Sequence, residues 1–197
     1  MVFTAPQLEY GALAPMLIIF SAALIGVIVE AFVKSSLRSA LQLTIAMGGI
    51  VLAFAQVLRL RGTVHPNAAL TSVIVDGPVL FMQGTILLLA LLALLLISDI
   101  NHFAAQASAV PGSVEEQAAL TSGRIQTEVY PLTLFSVGGM LLFPAANDLI
   151  TLFVALEVLS LPLYLMAGLS RRRRLLSQEA ADRKSTRLNS SHMSESR

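Results

Sequence analysis

The stretch that decides the fold covers residues 148–170 and reads DLITLFVALEVLSLPLYLMAGLS. It is long enough to cross a bilayer, because a membrane-spanning helix needs about 20 mostly apolar residues. Glu157 lies near its middle, where inserting a charged side chain costs roughly 2.5–3.5 kcal/mol. Carboxylates at that depth generally face a protein interior and handle protons, ions or a partner charge. The stretch therefore indicates membrane ion chemistry.

Pro162 follows this carboxylate within the same apolar stretch. Proline cannot donate a backbone hydrogen bond and clashes with the carbonyl four residues earlier, so it predicts a helix break. Helical spacing also predicts a polar stripe on one face of the helix. The stripe consists of Glu157, Ser160, Tyr164, Gly168 and Arg171. It is interpreted as a wall of a hydrated path or as a helix contact, with a merely structural hydrogen bond from the carboxylate as the alternative.

The composition is that of a membrane protein. Hydrophobic residues make up 55% of the 197-residue chain and charged residues only 13%, whereas about 25% of a typical soluble domain is charged. The net charge of +1 is too small to suggest a nucleic-acid partner. The absence of cysteine excludes disulfides, Cys-ligated iron–sulfur clusters and thiolate zinc sites. The three histidines have no metal-ligand spacing, so no metal site is predicted.

Five apolar stretches could span a membrane, and they cover approximately residues 11–33, 39–60, 78–98, 129–146 and 148–170. The predicted fold class is therefore all-α, a polytopic membrane protein with about five transmembrane helices. The loops at 61–77 and 99–127 are interpreted as solvated connectors. The alternatives are a short extended run at 71–75 and a short surface helix starting near Ser113.

Residues 1–176 are expected to form the membrane domain, and residues 177–197 a polar tail that cannot fold alone. From Asp182 onward the tail is interpreted as foreign to the natural protein, as with vector read-through, and a basic regulatory tail is the alternative. The first apolar stretch is expected to be a retained span, because residues 1–10 carry no positive charge.

The distribution of positive charge predicts the orientation in the membrane. The positive residues expected on one side are Lys34, Arg38, Arg124, Arg171, Arg172, Arg173 and Arg174. Arg59 and Arg61 fall on the opposite side and are the minority. The predicted N-terminus is therefore outside, with the four consecutive arginines in the cytoplasm.

Glu30 is a second carboxylate within an apolar stretch, near the cytoplasmic end of the first. Gly26, Ala23 and Ala22 lie on the same helix face, and small residues there suit close packing between helices. Extension of the side chain to the membrane surface accounts for Glu30. A role in transport is the alternative.

The motif Glu-x-x-Ser-Leu-Pro-Leu-Tyr occupies residues 157–164, and further characteristic sequence segments lie at 75–78, 127–132 and 135–144. These segments resemble subunit N of bacterial NADH-quinone oxidoreductase, an antiporter-like membrane subunit of respiratory complex I. The resemblance covers about residues 1–181 and is strongest from residue 127 onward. It implies a subunit of fourteen membrane helices with two inverted repeats, of which this chain is expected to be an N-terminal fragment.

The resemblance further implies that Glu157 belongs to the proton-translocating machinery, paired with a lysine on a later, broken helix. The only lysines here, Lys34 and Lys184, lie outside the predicted spans. The resemblance places NADH, flavin, iron–sulfur clusters and quinone on other subunits, so no cofactor is expected on this chain. It also implies a bacterial inner-membrane location, with other membrane subunits of complex I and the lipid bilayer as partners.

The predicted function is therefore a proton-translocating, non-redox subunit of NADH-quinone oxidoreductase, here truncated. The alternatives are a related cation/proton antiporter subunit and a structural membrane fragment without transport activity. In the functional case, Glu157, Ser160 and Tyr164 are expected to face the helix bundle or a polar groove that later helices would fill.

Overall fold

The computed structural model describes residues 8–98 and 127–169, and this part of the chain is mostly helical. Its helices are α1 (Tyr10–Phe32), α2 (Ser35–Arg59), α3 (Gly77–Ser98), α4 (Val129–Leu142) and α5 (Leu149–Leu169), with a single 3-10 turn at Phe143–Ala145. A two-stranded hairpin, β1 (His65–Ala69) and β2 (Val73–Val75), precedes α3. The predicted all-helical membrane class is confirmed, with the hairpin as an addition.

Four of the described helices are long and apolar enough to cross a membrane, judged by length and composition. They are α1, most of α2, α3 and α5, and the apolar segment Val129–Ala145 is shorter. Pro144 accounts for the short α4, because a residue without an N–H group cannot continue the α-helical hydrogen bonds. The chain divides into two compact units. The hairpin and the helices α1 to α4, together with α5 as far as Met166, belong to the first unit.

Acidic side chains begin two of these helices. Asp76 Oδ1 accepts a hydrogen bond of 3.0 Å from the Val79 N–H at the start of α3. Asp148 Oδ1 accepts one of 2.7 Å from the Thr151 N–H at the start of α5. Each carboxylate satisfies an N–H group that the first helical turn leaves without a backbone partner.

The core lies where α1 packs against α2 and α4, and α2 against α3. Its largest fully buried apolar side chains include Ile19, Ile50, Leu87, Leu94, Leu134 and Leu141. Small residues set the distances between the helices. A side chain at Gly49 would place its Cβ 2.8 Å from Ala22 Cβ, and one at Gly138 would place it 2.6 Å from the Phe20 ring. Glycine therefore permits the close approach of both helix pairs.

The hairpin corrects the interpretation of residues 61–77 as a solvated connector. Its strands are antiparallel, with His65 opposite Val75 and Ala69 opposite Val73. The extended run that was the alternative at 71–75 thus includes β2. The turn is tied to the start of α5, because the Asn147 N–H donates to Ser72 O at 2.9 Å. Residues 99–126, interpreted as a connector with a surface helix near Ser113 as the alternative, and the tail at 177–197 lie outside the described residues.

Candidate functional site

Glu157 lies in the middle of α5, and its side chain is exposed. Within residues 8–98 and 127–169, its carboxylate has no ion pair and no hydrogen bond to another side chain. The Ser160 hydroxyl is directed at the backbone carbonyl of Glu157, at 3.5 Å, and not at the carboxylate. The structural hydrogen bond considered as an alternative role for Glu157 is therefore absent from this part of the chain.

The backbone beside Glu157 is supported by α4. The predicted helix break at Pro162 is wrong, because α5 continues through this residue to Leu169. Pro162 nevertheless has no N–H group to offer the Val158 carbonyl. One residue further on, the Ser136 hydroxyl of α4 donates a hydrogen bond of 3.0 Å to the Leu159 carbonyl. The two backbones are close here, because a Cβ on Gly139 would lie 2.5 Å from Leu159 N. Helix α4 thus fixes the turn of α5 that carries the carboxylate.

The polar stripe does not face the interior of the described bundle. Glu157 is exposed, Tyr164 is 72% exposed and Ser160 is half-buried. All three side chains were expected to face either the helix bundle or a polar groove that later helices would fill. Glu157 and Tyr164 do not face the described bundle and lie on an open face of α5. That this face is such a groove stays a prediction. Of the remaining members of the stripe, Gly168 lies near the end of α5 and Arg171 lies outside the described residues.

Helix geometry explains this result. One face of α5 is directed toward α4, and it consists of Ala155, Leu159 and Pro162, which are spaced four and three residues apart. Ala155 and Pro162 are buried, and Leu159 lies beside Gly139 of α4. Each residue turns the helix by about 100°. Glu157 therefore lies about 200° around from Ala155, on the opposite side. In the most apolar stretch of α5, only 11% of the residues are buried, whereas 33–39% are buried in the corresponding stretches of α1, α2 and α3. The side opposite α4 is therefore largely uncovered.

Glu30 lies in a network at the junction of α1, α2 and the start of α4. Its Oε1 accepts a hydrogen bond of 2.7 Å from Arg38 Nη1, forming an ion pair. Its Oε2 accepts from Thr127 Oγ1 at 2.7 Å and from Gln42 Nε2 at 3.1 Å. The Gln42 amide, 1% exposed, also donates to the Gly26 carbonyl at 2.7 Å. This carboxylate is thus bound by two side chains of α2 and by one that precedes α4.

The network gives Glu30 partners that its interpretation as a side chain extending to the membrane surface did not include. The carboxylate is 18% exposed because Arg38 folds over it across the short α1–α2 turn, and Arg38 also donates to the Val33 carbonyl at 2.8 Å. Sequence reasoning missed Arg38, Gln42 and Thr127 as its partners. One available signal was Gln42, an isolated amide on an apolar helix, because a buried polar side chain requires a hydrogen-bond partner.

Asp148, which begins α5, has a pKa held below its usual range, mainly by the hydrogen bond from the Thr151 N–H and then by the Thr151 hydroxyl. A carboxylate with a lowered pKa contributes stability above its unfolded pKa and loses that contribution as the pH falls through the folded pKa. We therefore expect the first turn of α5 to loosen at acidic pH. Hydrogen exchange at the Thr151 amide should report this, with protection that falls on acidification in the native chain.

Replacing Asp148 with asparagine provides the control for this pH dependence. Asparagine caps a helix about as well as aspartate but does not titrate. Protection at Thr151 in the Asp148→Asn chain should thus remain constant over the acidic range, after correction for the intrinsic exchange rate. The same loss of protection in both chains would show that another group causes it.

The described residues contain no group of three or more His, Cys, Asp or Glu side chains that could hold a metal ion. The remaining chemistry of the site is the unpartnered carboxylate of Glu157 and the engaged carboxylate of Glu30. The first has no side-chain partner among the described residues, and the second is held in an ion pair with Arg38.

The chain matches no protein-family model. It is 57% identical over 182 residues to NADH-quinone oxidoreductase subunit N of Acidothermus cellulolyticus. The aligned region covers 90% of this chain and 35% of that relative. It is 52% identical over 186 residues to subunit N of Thermobifida fusca, with 90% and 34% covered. The predicted resemblance to subunit N is confirmed. With subunit N of Rhodococcus opacus, the identity is 51% over 202 residues, with 90% and 37% covered. The chain thus spans little more than a third of the subunit N relatives it matches.

Proposed function

We propose that this chain forms part of a proton-translocating membrane subunit of an NADH-quinone oxidoreductase. The observation that carries the proposal is an identity of about half over nine-tenths of the chain to proteins named subunit N of that enzyme. Five described helices, four of them long enough to cross a membrane, support the assignment to a membrane subunit. The subunit itself carries out no redox step, and proton pumping is coupled to electron transfer elsewhere in the enzyme.

Glu157 is the group that we propose to transfer protons. Its carboxylate lies at the depth of a membrane-spanning helix without a side-chain partner in the described part of the chain. A charge at that depth is costly unless it serves a protein interior or a water-filled path. The open face of α5 is where another helix would cover the carboxylate and supply its partner charge. Ser160 and Tyr164 flank it as supporting polar groups, and Pro162 leaves the Val158 carbonyl beside it without a helical hydrogen bond.

The partners proposed for this open face are other membrane segments and subunits of the enzyme. NADH, flavin, iron–sulfur clusters and quinone are assigned to other subunits, so this chain needs no cofactor of its own. Residues 1–176 form the proposed membrane domain, in a bacterial cell membrane. The positive charges at Lys34, Arg38, Arg124 and the arginines at 171–174 support an external N-terminus and a cytoplasmic arginine cluster.

The test replaces Glu157 with glutamine in the subunit of the assembled enzyme. Glutamine keeps the size and polarity of the side chain but cannot exchange a proton, so we expect NADH-driven proton pumping into membrane vesicles to fall by about tenfold or more. Proton uptake is followed with a pH-sensitive dye while NADH oxidation is measured in parallel. The control is Glu9→Gln, an exposed carboxylate that hydrogen-bonds His65 outside the spans, which should pump normally.

Unchanged pumping in Glu157→Gln would contradict the proposed role and favour a structural function for this chain. Proton movement that depends on a metal cation gradient and proceeds without electron transfer from NADH would instead favour the cation/proton antiporter alternative. Normal assembly of the enzyme, checked by NADH oxidation and by the amount of the subunit in the membrane, separates either result from a failure to fold.

A further inference from the structure

A groove of about 330 Å³ lies between the C-terminal end of α2 and the N-terminal half of α3. Its walls are the apolar side chains of Phe54, Val57, Leu58, Leu80, Phe81 and Leu88. The Thr85 hydroxyl also lines the groove, but it donates to the Phe81 carbonyl at 2.9 Å and is therefore satisfied within α3. The groove thus offers an apolar surface to whatever occupies it.

One end of this groove carries a positive charge. Arg61 lines that end, is exposed, and makes no ion pair or side-chain hydrogen bond with the described residues. Gly62 and Gly77 flank it, and neither has a heavy atom within 4 Å of the position a Cβ would take, so the entrance is open. The nearby carboxylate of Asp76 accepts a hydrogen bond from the Val79 N–H and makes no ion pair with Arg61. The guanidinium therefore remains available to an anion.

The length of the groove corresponds to one leaflet of a bilayer. From Arg59, the last residue of α2, back to Phe54 is about 8 Å, and from Gly77 to Leu88 along α3 is about 16 Å, at about 1.5 Å per helical residue. Half of a hydrocarbon core of about 30 Å is about 15 Å. Because α2 ends and α3 begins at this point, Arg61 lies at the level of the lipid headgroups, and the apolar walls extend into the acyl region.

We propose that this groove binds an anionic phospholipid, with its phosphate at Arg61 and one acyl chain between α2 and α3. The charge at the entrance and the apolar walls below it complement the two parts of such a lipid. An uncharged ligand with an apolar tail would pack against the apolar walls but would gain no electrostatic attraction from Arg61. This inference requires that α2 and α3 span a membrane and is independent of the role of Glu157.

The test measures lipid retention by the full chain, purified in detergent and examined by native mass spectrometry with added phosphatidylglycerol or phosphatidylcholine. The native chain should retain phosphatidylglycerol preferentially. Replacing Arg61 with glutamine should lower that preference about fivefold, the contribution expected of one arginine at an anionic headgroup. Arg59→Gln is the matched control, because Arg59 is also exposed at the end of α2 but does not line the groove, and its preference should stay within about twofold of the native value.

A second pair of variants tests the apolar part of the groove. Gly84 lines it, and a Cβ there would have only ordinary contacts, at 3.6 Å from Val57 and 3.8 Å from Phe54. Gly84→Met should fill the groove and reduce the retention of both lipids, whereas Gly84→Ala should leave it unchanged. Equal losses in Arg59→Gln and Arg61→Gln, full retention in Gly84→Met, or displacement of the lipid by inorganic phosphate alone would each overturn the proposal.

Discussion

Replacing Gly139 with alanine is expected to destabilise the contact between α4 and α5 by about 2–3 kcal/mol. A Cβ at this position would lie 2.5 Å from Leu159 N, 2.8 Å from Leu159 Cα and 2.9 Å from the Val158 carbonyl carbon. All three atoms belong to the backbone, so no side-chain rotation can relieve the overlap and α5 itself must move. The Ser136 hydrogen bond to Leu159 would lengthen with it. Unfolding of the detergent-solubilised chain by sodium dodecyl sulfate, followed by circular dichroism at 222 nm, measures this effect.

The matched control is Gly48→Ala on α2. Gly48 is also helical, but no heavy atom lies within 4 Å of the position its Cβ would take. Alanine should therefore be neutral there, or slightly stabilising, because it favours the helix over glycine by up to about 1 kcal/mol. Equal stability of the Gly139→Ala and Gly48→Ala chains would show that close packing at Gly139 does not hold α5. In the assembled enzyme, Gly139→Ala should also reduce proton pumping, since the displaced turn carries Glu157.

The positions of the long helices could be predicted from apolar length alone. Helix α3 contains no charge between residues 79 and 97, and the Lys34 to Arg38 region separates α1 from α2. In a bilayer a backbone without water must form its own hydrogen bonds, so a sufficiently long apolar run has few alternatives to a helix. The hairpin was harder to predict, because β1 reads HPNAA and has little intrinsic strand preference. Its pairing depends on contacts with β2 and, at the turn, with Asn147.

The buried face of α5 could not be predicted from the sequence. Leucine, valine, phenylalanine and methionine surround this helix, so hydrophobicity does not distinguish a face toward protein from a face toward lipid. The polar stripe through Glu157 indicated a face toward the bundle or toward a groove for later helices, and did not say which. The close approach at Gly139 places the opposite face, through Ala155 and Leu159, against α4. The rotation of α5 about its axis is decided by the packing of a small residue of α4 against the α5 backbone. This contact can be recognised only in the folded structure, where both helices are in place.

The partners of Glu30 were missed for a related reason. Arg38 was interpreted as a determinant of orientation, and nothing in the spacing of the two residues requires them to meet. They meet because the α1–α2 connection is short, with Val33 and Lys34 between the two helices. Thr127 joins from a distant part of the chain, which no local pattern reveals. The network therefore follows from the packing of α1, α2 and α4 rather than from the sequence of any one helix.

Replacing Glu30 with alanine is expected to lower the stability of the helix bundle by about 2 kcal/mol. The change leaves the Arg38 guanidinium without its carboxylate and the Thr127 hydroxyl without its acceptor, and hydrogen bonds to charged groups contribute about 1.5–3 kcal/mol each before allowance for partial exposure. Glu30→Gln should cost less, because its amide oxygen can still accept from Thr127. The same denaturation measured by circular dichroism compares the two chains.

A double-mutant cycle isolates the ion pair from the rest of the network. We compare the unfolding free energies of Glu30→Gln, Arg38→Gln and the double variant, which together give a coupling free energy. If the 2.7 Å contact between Arg38 Nη1 and Glu30 Oε1 stabilises the fold, this coupling should be about 1 kcal/mol in favour of the pair. A Glu30 side chain that only reached the membrane surface would give additive effects and individual costs below about 0.5 kcal/mol. The size of the coupling matters for function as well, because a carboxylate that holds Arg38 at 2.7 Å serves the packing of α1 against α2. A large coupling would thus leave Glu157 as the better candidate for proton transfer.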